Sequence, residues 1–440
     1  MSETTSKVTN DARISRRGLA NLELKTPMRD ATRTAYSQLH HPISNPQGAT
    51  NLGTARNELM CEEMLQKIQN SLEFQLSDFS YGDSRGSERL RGLIASFLNN
   101  LLKCDVPLND DNIITTAGTD SGLFYLTMAL ADPGDSILVA APYYGNFDVD
   151  LCTSTGVDIV PIYPFTLDDL KVDADKLEAA MQEAKRNGKR VSAIAITSPH
   201  NPIGRCFSKE DLERFVRFAS KHSIHFIVDE VYAGSSFGHL LKGASETSDP
   251  FVSVLSLKNL HELIDPGLVH VVYGVSKDFG LNGLRIGFII DQYNEKLRKV
   301  LAMQTFVSYT STISDRLVCN ILEDEAWVDW FLATNKQRLA EAYQRATDLF
   351  DHRGVAYIPA QSGHYVFVDL RPTLRKNKAS PPTTEDERLL WQTLLQSGVC
   401  VSPGHGYHIQ EAGFMRVTFA MEWSKLEPAL EKFCDIIDAF

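Results

Sequence analysis

Lys277 stands at the end of a β-branched run, HVVYGV, with Ser276 beside it in VVYGVSKDFGLNGLRIG. A lone lysine is by default an exposed charge. Held at a strand end over a ring, with its pKa lowered by its surroundings, the same amine can form a Schiff base. Asp229 ends a second apolar run, HFIVD, and Tyr232 follows it in HFIVDEVYAGSSF. Asp229 has two readings. It can cap a following helix, or it can lie at the bottom of a dry pocket and keep a pyridine nitrogen protonated, so that the ring accepts electrons released at a substrate α-carbon. Tyr232 could donate to that ring's phenolic oxygen, and so could Asn201 in TSPHNPIG, a segment that also reads as an ordinary Asn-Pro turn. In TTAGTDSGLFYLT the amides around Gly118, Thr119 and Asp120 fall at a helix start, which is an anion site or simply a βα turn capped by Thr119 or Asp120. Ser276 and Arg285 are further candidates for phosphate contacts. Tyr143 and Tyr144, just after SILVA, can stack on a ring or merely pack.

The elements that must position these residues follow a βαβ rhythm. SERLRGLIASFLNNLL reads as a helix, IITT as a strand, TDSGLFYLTMALA as a helix, then come strands SILVA and VDIVPIY, a helix over Asp173 to Arg186 and strand VSAIAIT. SKEDLERFVRFASKH follows, with Ser208 and Asp211 resembling a capping box, then HFIVD and HVVYGV. Near-continuously apolar strands belong to a sheet covered by helices on both faces. After about residue 290 long charged helices take over, AWVDWFLATNKQRLAEAYQRATDLF being the clearest. Strand HYVFVDL, helix TEDERLLWQTLLQ, strand MRVTF and a terminal helix complete a second, α+β domain. KNKASPPTTED reads as a surface loop within it.

The chain has 440 residues, 44 Lys plus Arg against 56 Asp plus Glu and a net charge of −12, so the electrostatic footprint of a nucleic-acid binder is missing. Seven dispersed cysteines without a CxxC pair argue against a disulfide framework and a thiolate metal site, and point to a reducing, cytoplasmic setting. The polar N-terminus lacks a signal-peptide core, and no stretch approaches the roughly 20 apolar residues that span a bilayer. A Rossmann oxidoreductase is disfavoured because no GxGxxG follows an early strand.

In order along the chain, YGDSRG, AGTDSG, PHNPIG, DEVYAG and SKDFGLNGLRIG, followed by SPGHGYHIQEAGFMRVTFA, resemble the pyridoxal 5′-phosphate (PLP) enzymes of fold type I. Within them the chain is similar to class I/II aminotransferases and most of all to the 1-aminocyclopropane-1-carboxylate synthase-like branch, from about residue 40 onward. The resemblance implies a mostly parallel sheet of seven-stranded type in a large domain with a smaller α+β domain. Its expected divisions are a disordered tail over 1–20, an N-terminal segment over 21–70 that joins the small domain, a large PLP-binding domain over 71–318 and a small domain over 319–440. It makes Lys277 the internal-aldimine lysine and the group that moves the α-proton, and pairs Asp229 with the pyridine nitrogen. Asn201 and Tyr232 bond the ring's 3′ oxygen, Tyr144 stacks on the ring, and Gly118, Thr119, Asp120, Ser276 and Arg285 hold the phosphate. Arg416 clamps the substrate α-carboxylate, with Arg56 and Asn57 near the substrate. Tyr81 reaches the phosphate of a neighbouring subunit, which implies a homodimer with shared active sites.

Two positions depart from that pattern. Arg56 stands where the cyclopropane-forming synthases carry a glutamate, and Gly274 where many relatives place a phosphate-binding serine; Ser276 is the nearest replacement. The reversed charge speaks against cyclopropane formation and leaves PLP chemistry intact. Arg56 serves either an acidic substrate side chain or no more than the solvated surface. The implied activity is an aminotransferase reaction on an α-amino acid through an external aldimine and quinonoid. The alternatives are a carbon–sulfur lyase acting by β-elimination, a synthase-like lyase of secondary metabolism, and an inactive PLP-fold binding protein.

Overall fold

The computed structural model describes residues 14–244, 251–376 and 380–440. Thr50–Asn51 forms β1, and the strands that follow are β2 Ile113–Thr116, β3 Asp135–Ala140, β4 Asp158–Ile162, β5 Arg190–Thr197, β6 His225–Asp229, β7 Val269–Gly274 and β8 Gly287–Ile290. The last seven make one sheet in the order β2-β8-β7-β6-β5-β3-β4. β4, β3, β5, β6 and β7 run parallel, while β8 is antiparallel to both its neighbours. Alternate side chains of these strands enter two different apolar clusters. Leu138, Ile194, Phe226 and Val271 pack on one face, and Ile137, Ala193, Ile227 and Val272 on the other. This explains why the strands read as unbroken apolar runs.

The second unit is an antiparallel sheet in the order β12-β13-β10-β9, built from β9 Ala356–Ile358, β10 Tyr365–Asp369, β12 Ser402–Pro403 and β13 Phe414–Thr418. β11 Val399–Cys400 pairs in parallel with β1. The N-terminal segment therefore adds a strand to the C-terminal unit, and its Ala31, Ala35 and Leu52 pack in that unit's core.

Several expectations change here. Helix Asp173 to Arg186 is found as Ala174–Arg186 with Asp173 as its N-cap. Ser208 caps helix Lys209–His222 by accepting from Asp211 N–H at 3.2 Å, but the Asp211 carboxylate accepts from Ser208 Oγ and Val172 N–H, so the capping box is half made. Of the tail expected over 1–20, residues 1–13 lie outside the described residues. Arg16–Ala20 is a short helix whose Gly18 N–H donates to Ser15 Oγ at 3.0 Å, so secondary structure begins inside the stretch expected to lack it. The loop KNKASPPTTED also lies partly outside the described residues. The boundary expected between 318 and 319 falls within helix Thr312–Leu322, whose Leu317 and Val318 belong to the large core. Packing changes over farther along, in the single helix Glu325–His352. Val328, Phe331 and Leu332 enter the large core, and Leu339, Tyr343 and Phe350 the small one.

Candidate active site

In an open α/β sheet, ligands bind outside the carboxyl ends of the strands. Five of those ends here carry the singled-out residues: Gly118 to Asp120 after β2, Tyr143 and Tyr144 after β3, Asn201 after β5, Asp229 to Tyr232 at β6, and Ser276 with Lys277 after β7. Arg285 precedes β8, whose reversed direction brings its beginning to the same edge.

Lys277, Tyr232, Tyr144, Arg56 and Arg416 line one cavity of about 400 Å³. Lys277 Nζ donates to Ala55 O at 3.0 Å and lies 5.8 Å from the centre of the Tyr232 ring. Burial, seconded by the positive charge of Arg416, pulls its amine down to about 8. Asp229 is buried, its carboxylate accepts from Val231 N–H at 3.2 Å, and desolvation pushes it up to about 7. A buried carboxylate held that high is one that a ring N–H cation would return to its charged form.

Arg416 lies on β13, 4% exposed, between the rings of Tyr365 and Tyr407 at 4.6 and 5.3 Å. Its Nη1 donates to Asn201 Oδ1 at 2.9 Å and its Nη2 to Gly53 O at 2.5 Å, while Nε has no hydrogen-bond partner. Among the described residues no carboxylate pairs with it. A buried guanidinium without a counter-ion is a strong demand for an anionic ligand.

The phosphate candidates form an adjoining group. Gly118 has φ 95° and caps helix Thr119–Leu130; a side chain there would strike the Arg285 guanidinium. Arg285 is thereby laid across a helix N-terminus whose free N–H groups suit an anion. The Asp120 carboxylate accepts from Arg285 Nη2 at 2.8 Å and so holds the arginine in place, while the Asp120 amide remains at the helix start. Gly274 also acquires a reason. A Cβ there would stand 2.9 Å from Thr119 Cγ2, so Thr119 fills the space a serine would need. Ser276 is buried beside Lys277.

One expected site residue lies away from the cavity, and another, expected to serve a neighbouring subunit, faces outward. The Asn57 amide donates to Asn335 Oδ1 at 2.6 Å and accepts from Leu59 N–H at 3.1 Å, tying the N-terminal segment to the long helix rather than facing the cavity. Tyr81 is 97% exposed and touches none of its own chain's site. Sequence reasoning in turn missed the carbonyls of Gly53 and Ala55, which anchor Arg416 and Lys277, and the aromatic walls Tyr365 and Tyr407. Backbone carbonyls carry no sequence signal. Tyr407 stood in the SPGHGYH loop, where its nearness to the site was the available clue. A buried chain behind Tyr232 was equally invisible: Asp278 Oδ1 accepts from Ser235 Oγ at 2.6 Å, Ser235 Oγ contacts His364 Nε2 at 3.1 Å, and His364 packs edge-on against Tyr232 at 5.4 Å.

Architecture and site together define an α/β enzyme with a lysine and a buried carboxylate at the open edge of its large sheet. Solved aminotransferases share that fold: an aspartate aminotransferase from Thermotoga maritima superposes with a TM-score of 0.72 at 22% identity, covering 97% of this chain and 100% of that one. An aspartate aminotransferase from Thermus thermophilus with maleate gives 0.74 at 22%, covering 96% and 99%. The family described as aminotransferase class I and II matches residues 48–433, and the chain belongs to that family, whose cofactor is PLP. It is 32% identical over 404 residues to 1-aminocyclopropane-1-carboxylate synthase 6 of Arabidopsis thaliana, covering 89% of this chain and 79% of that protein. It is also 32% identical over 412 residues to a human protein described as "probable inactive 1-aminocyclopropane-1-carboxylate synthase-like protein 2", covering 90% and 69%. The donor set fits the cofactor: the Lys277 amine lines the cavity, and Asp229, Asp120 and Arg285 stand near enough to act on its charge. No helix among the described residues is long and apolar enough to cross a membrane, and no three or more of their His, Cys, Asp and Glu side chains come together as a metal site.

Proposed function

We propose that the chain is an aminotransferase that acts on an α-amino acid. Bound PLP supplies an aldehyde that takes up the amino group and a ring that accepts the electron pair left when the bond from Cα to hydrogen breaks. Asp229 would accept from the ring N–H cation, whose charge would hold the carboxylate in its ionised form. Asn201 Nδ2 and the Tyr232 hydroxyl would donate to the ring oxygen, and Tyr144 would stack on the ring. Arg285 and the amides of Thr119 and Asp120 would hold the phosphate. Arg416 takes the substrate carboxylate through two parallel hydrogen bonds, which fixes Cα beside Lys277. Lys277 Nζ, whose lowered pKa leaves part of it neutral near pH 8, would remove the α-proton and deliver it to the carbon that had carried the cofactor's aldehyde oxygen, the shift that separates transamination from simple exchange. The observation that carries the reading is the buried, counter-ion-free Arg416 in the same cavity as the Lys277 amine.

A shared-site homodimer belongs to the same proposal. Leu76, Phe79 and Tyr81 are 90, 70 and 97% exposed, and Phe306 and Val307 nearby are 71 and 87% exposed. Thr312 Oγ1 donates to Asp78 O at 2.5 Å, so the two segments make one apolar surface of the kind that a second subunit covers. A cytoplasmic location is supported by the dispersal of the cysteines along the sequence without a CxxC pair.

A carbon–sulfur or synthase-like lyase is the second reading, favoured by the likeness to the plant synthases. Single-substrate turnover separates the two. With one amino acid and no keto acid, an aminotransferase stops after one equivalent of cofactor has been converted, whereas a lyase goes on turning over, releasing ammonia and a keto acid after β-elimination or a leaving group and a cyclic amino acid after ring closure. Sustained release overturns the transferase reading. A protein that binds PLP but shows no spectral response to any amino acid belongs to the inactive binding class.

A further inference from the structure

Residues Gly53 to Arg56 run along the cavity as a rail. Gly53 O accepts from Arg416, Ala55 O accepts from Lys277 Nζ at 3.0 Å, and Arg56 N–H donates to Thr54 O at 2.8 Å. Arg56 is thus fixed one residue beyond the anchor of the reactive amine, and it lines the same cavity. Its side chain is 57% exposed, and its ion-pair partner Glu58 stands at 3.6 Å, beyond hydrogen-bond distance. Among the described residues that line the cavity, three are cations, Lys277, Arg416 and Arg56, and none is Asp or Glu. Met28, Ala31, Ala35 and Leu39 supply an apolar wall in the same cavity, suited to methylene groups.

We propose that Arg56 selects amino acids whose side chain ends in a carboxylate, an inference that rests on the amino-acid-enzyme reading above. Arg416 holds the α-carboxylate, Lys277 serves the α-carbon, and Arg56 meets the distal anion at the mouth. No lining carboxylate opposes a dianionic substrate, and Glu58 is a loose partner that the substrate replaces. A cationic side chain is rejected by the same charge.

The test is spectral titration of the PLP-loaded protein with two acid and amide pairs, glutamate with glutamine and aspartate with asparagine. In each chain length that fits, the acid is expected to bind about tenfold more tightly than its isosteric amide. R56Q is expected to bring the acid down to the amide's affinity, E58Q to widen the preference, and added salt to narrow it. Equal affinities of acid and amide in the unaltered protein overturn the proposal, as does R56Q weakening both partners of a pair alike. If neutral amino acids perturb the spectrum and acidic ones do not, Arg56 is misassigned and the amino-acid-enzyme reading survives. If no amino acid perturbs it, both fall.

Discussion

Lys277→Ala is expected to reduce turnover by about a thousandfold or more, the usual worth of a positioned proton-transfer group. The effect should be this large because nothing nearby can replace it. Lys277 is the one lysine in the cavity among the described residues, and its amine is tuned as well as placed. Burial and the Arg416 charge bring it from 10.5 to about 8. A lowered amine pKa enlarges the neutral fraction below the ordinary lysine range, and the neutral amine is the reactive form. Borohydride reduction in the presence of PLP should therefore add the cofactor's mass to Lys277, with half-maximal labelling of the cofactor-free protein near pH 8. Labelling of another lysine, or turnover preserved in a folded Lys277→Ala protein, would refute the assignment.

Arg416→Ala is expected to weaken α-amino acid binding by about 2–5 kcal/mol, because it strands a substrate carboxylate in a buried place. Arg416→Lys should recover only part of this, since a point charge cannot make the planar two-bond contact. A second readout distinguishes a site role from a folding defect. Removing the positive charge beside Lys277 favours its protonated form, so the labelling profile of Arg416→Ala should move to higher pH. An unchanged affinity together with an unmoved profile removes Arg416 from the site.

Much of the large sheet was legible because β3, β5, β6 and β7 are buried on both faces and so read as apolar runs. β8 was not singled out: GFII is four residues long, adjoins the SKDFGLNGLRIG motif and runs against its neighbours. The placement of Asn201, Asp229, Tyr232 and Lys277 was legible for the same reason as the sheet, each lying at or just past a strand end. Asn57 was misplaced because its tie to Asn335 joins residues 278 apart. The domain boundary was misplaced because helix Glu325–His352 is amphipathic along its whole length, and nothing in its pattern marks where one core hands over to the next.

The rail formed by Gly53 and Ala55 has a consequence for how the protein is made. Its carbonyls leave the ribosome early, yet they must wait for a lysine 222 residues later and an arginine 363 residues later. Closing such long loops is slow, so a nascent chain holds the parts of its chemistry well before it can use any of them. Neither contact can form before the chain carrying Lys277 and Arg416 has been made.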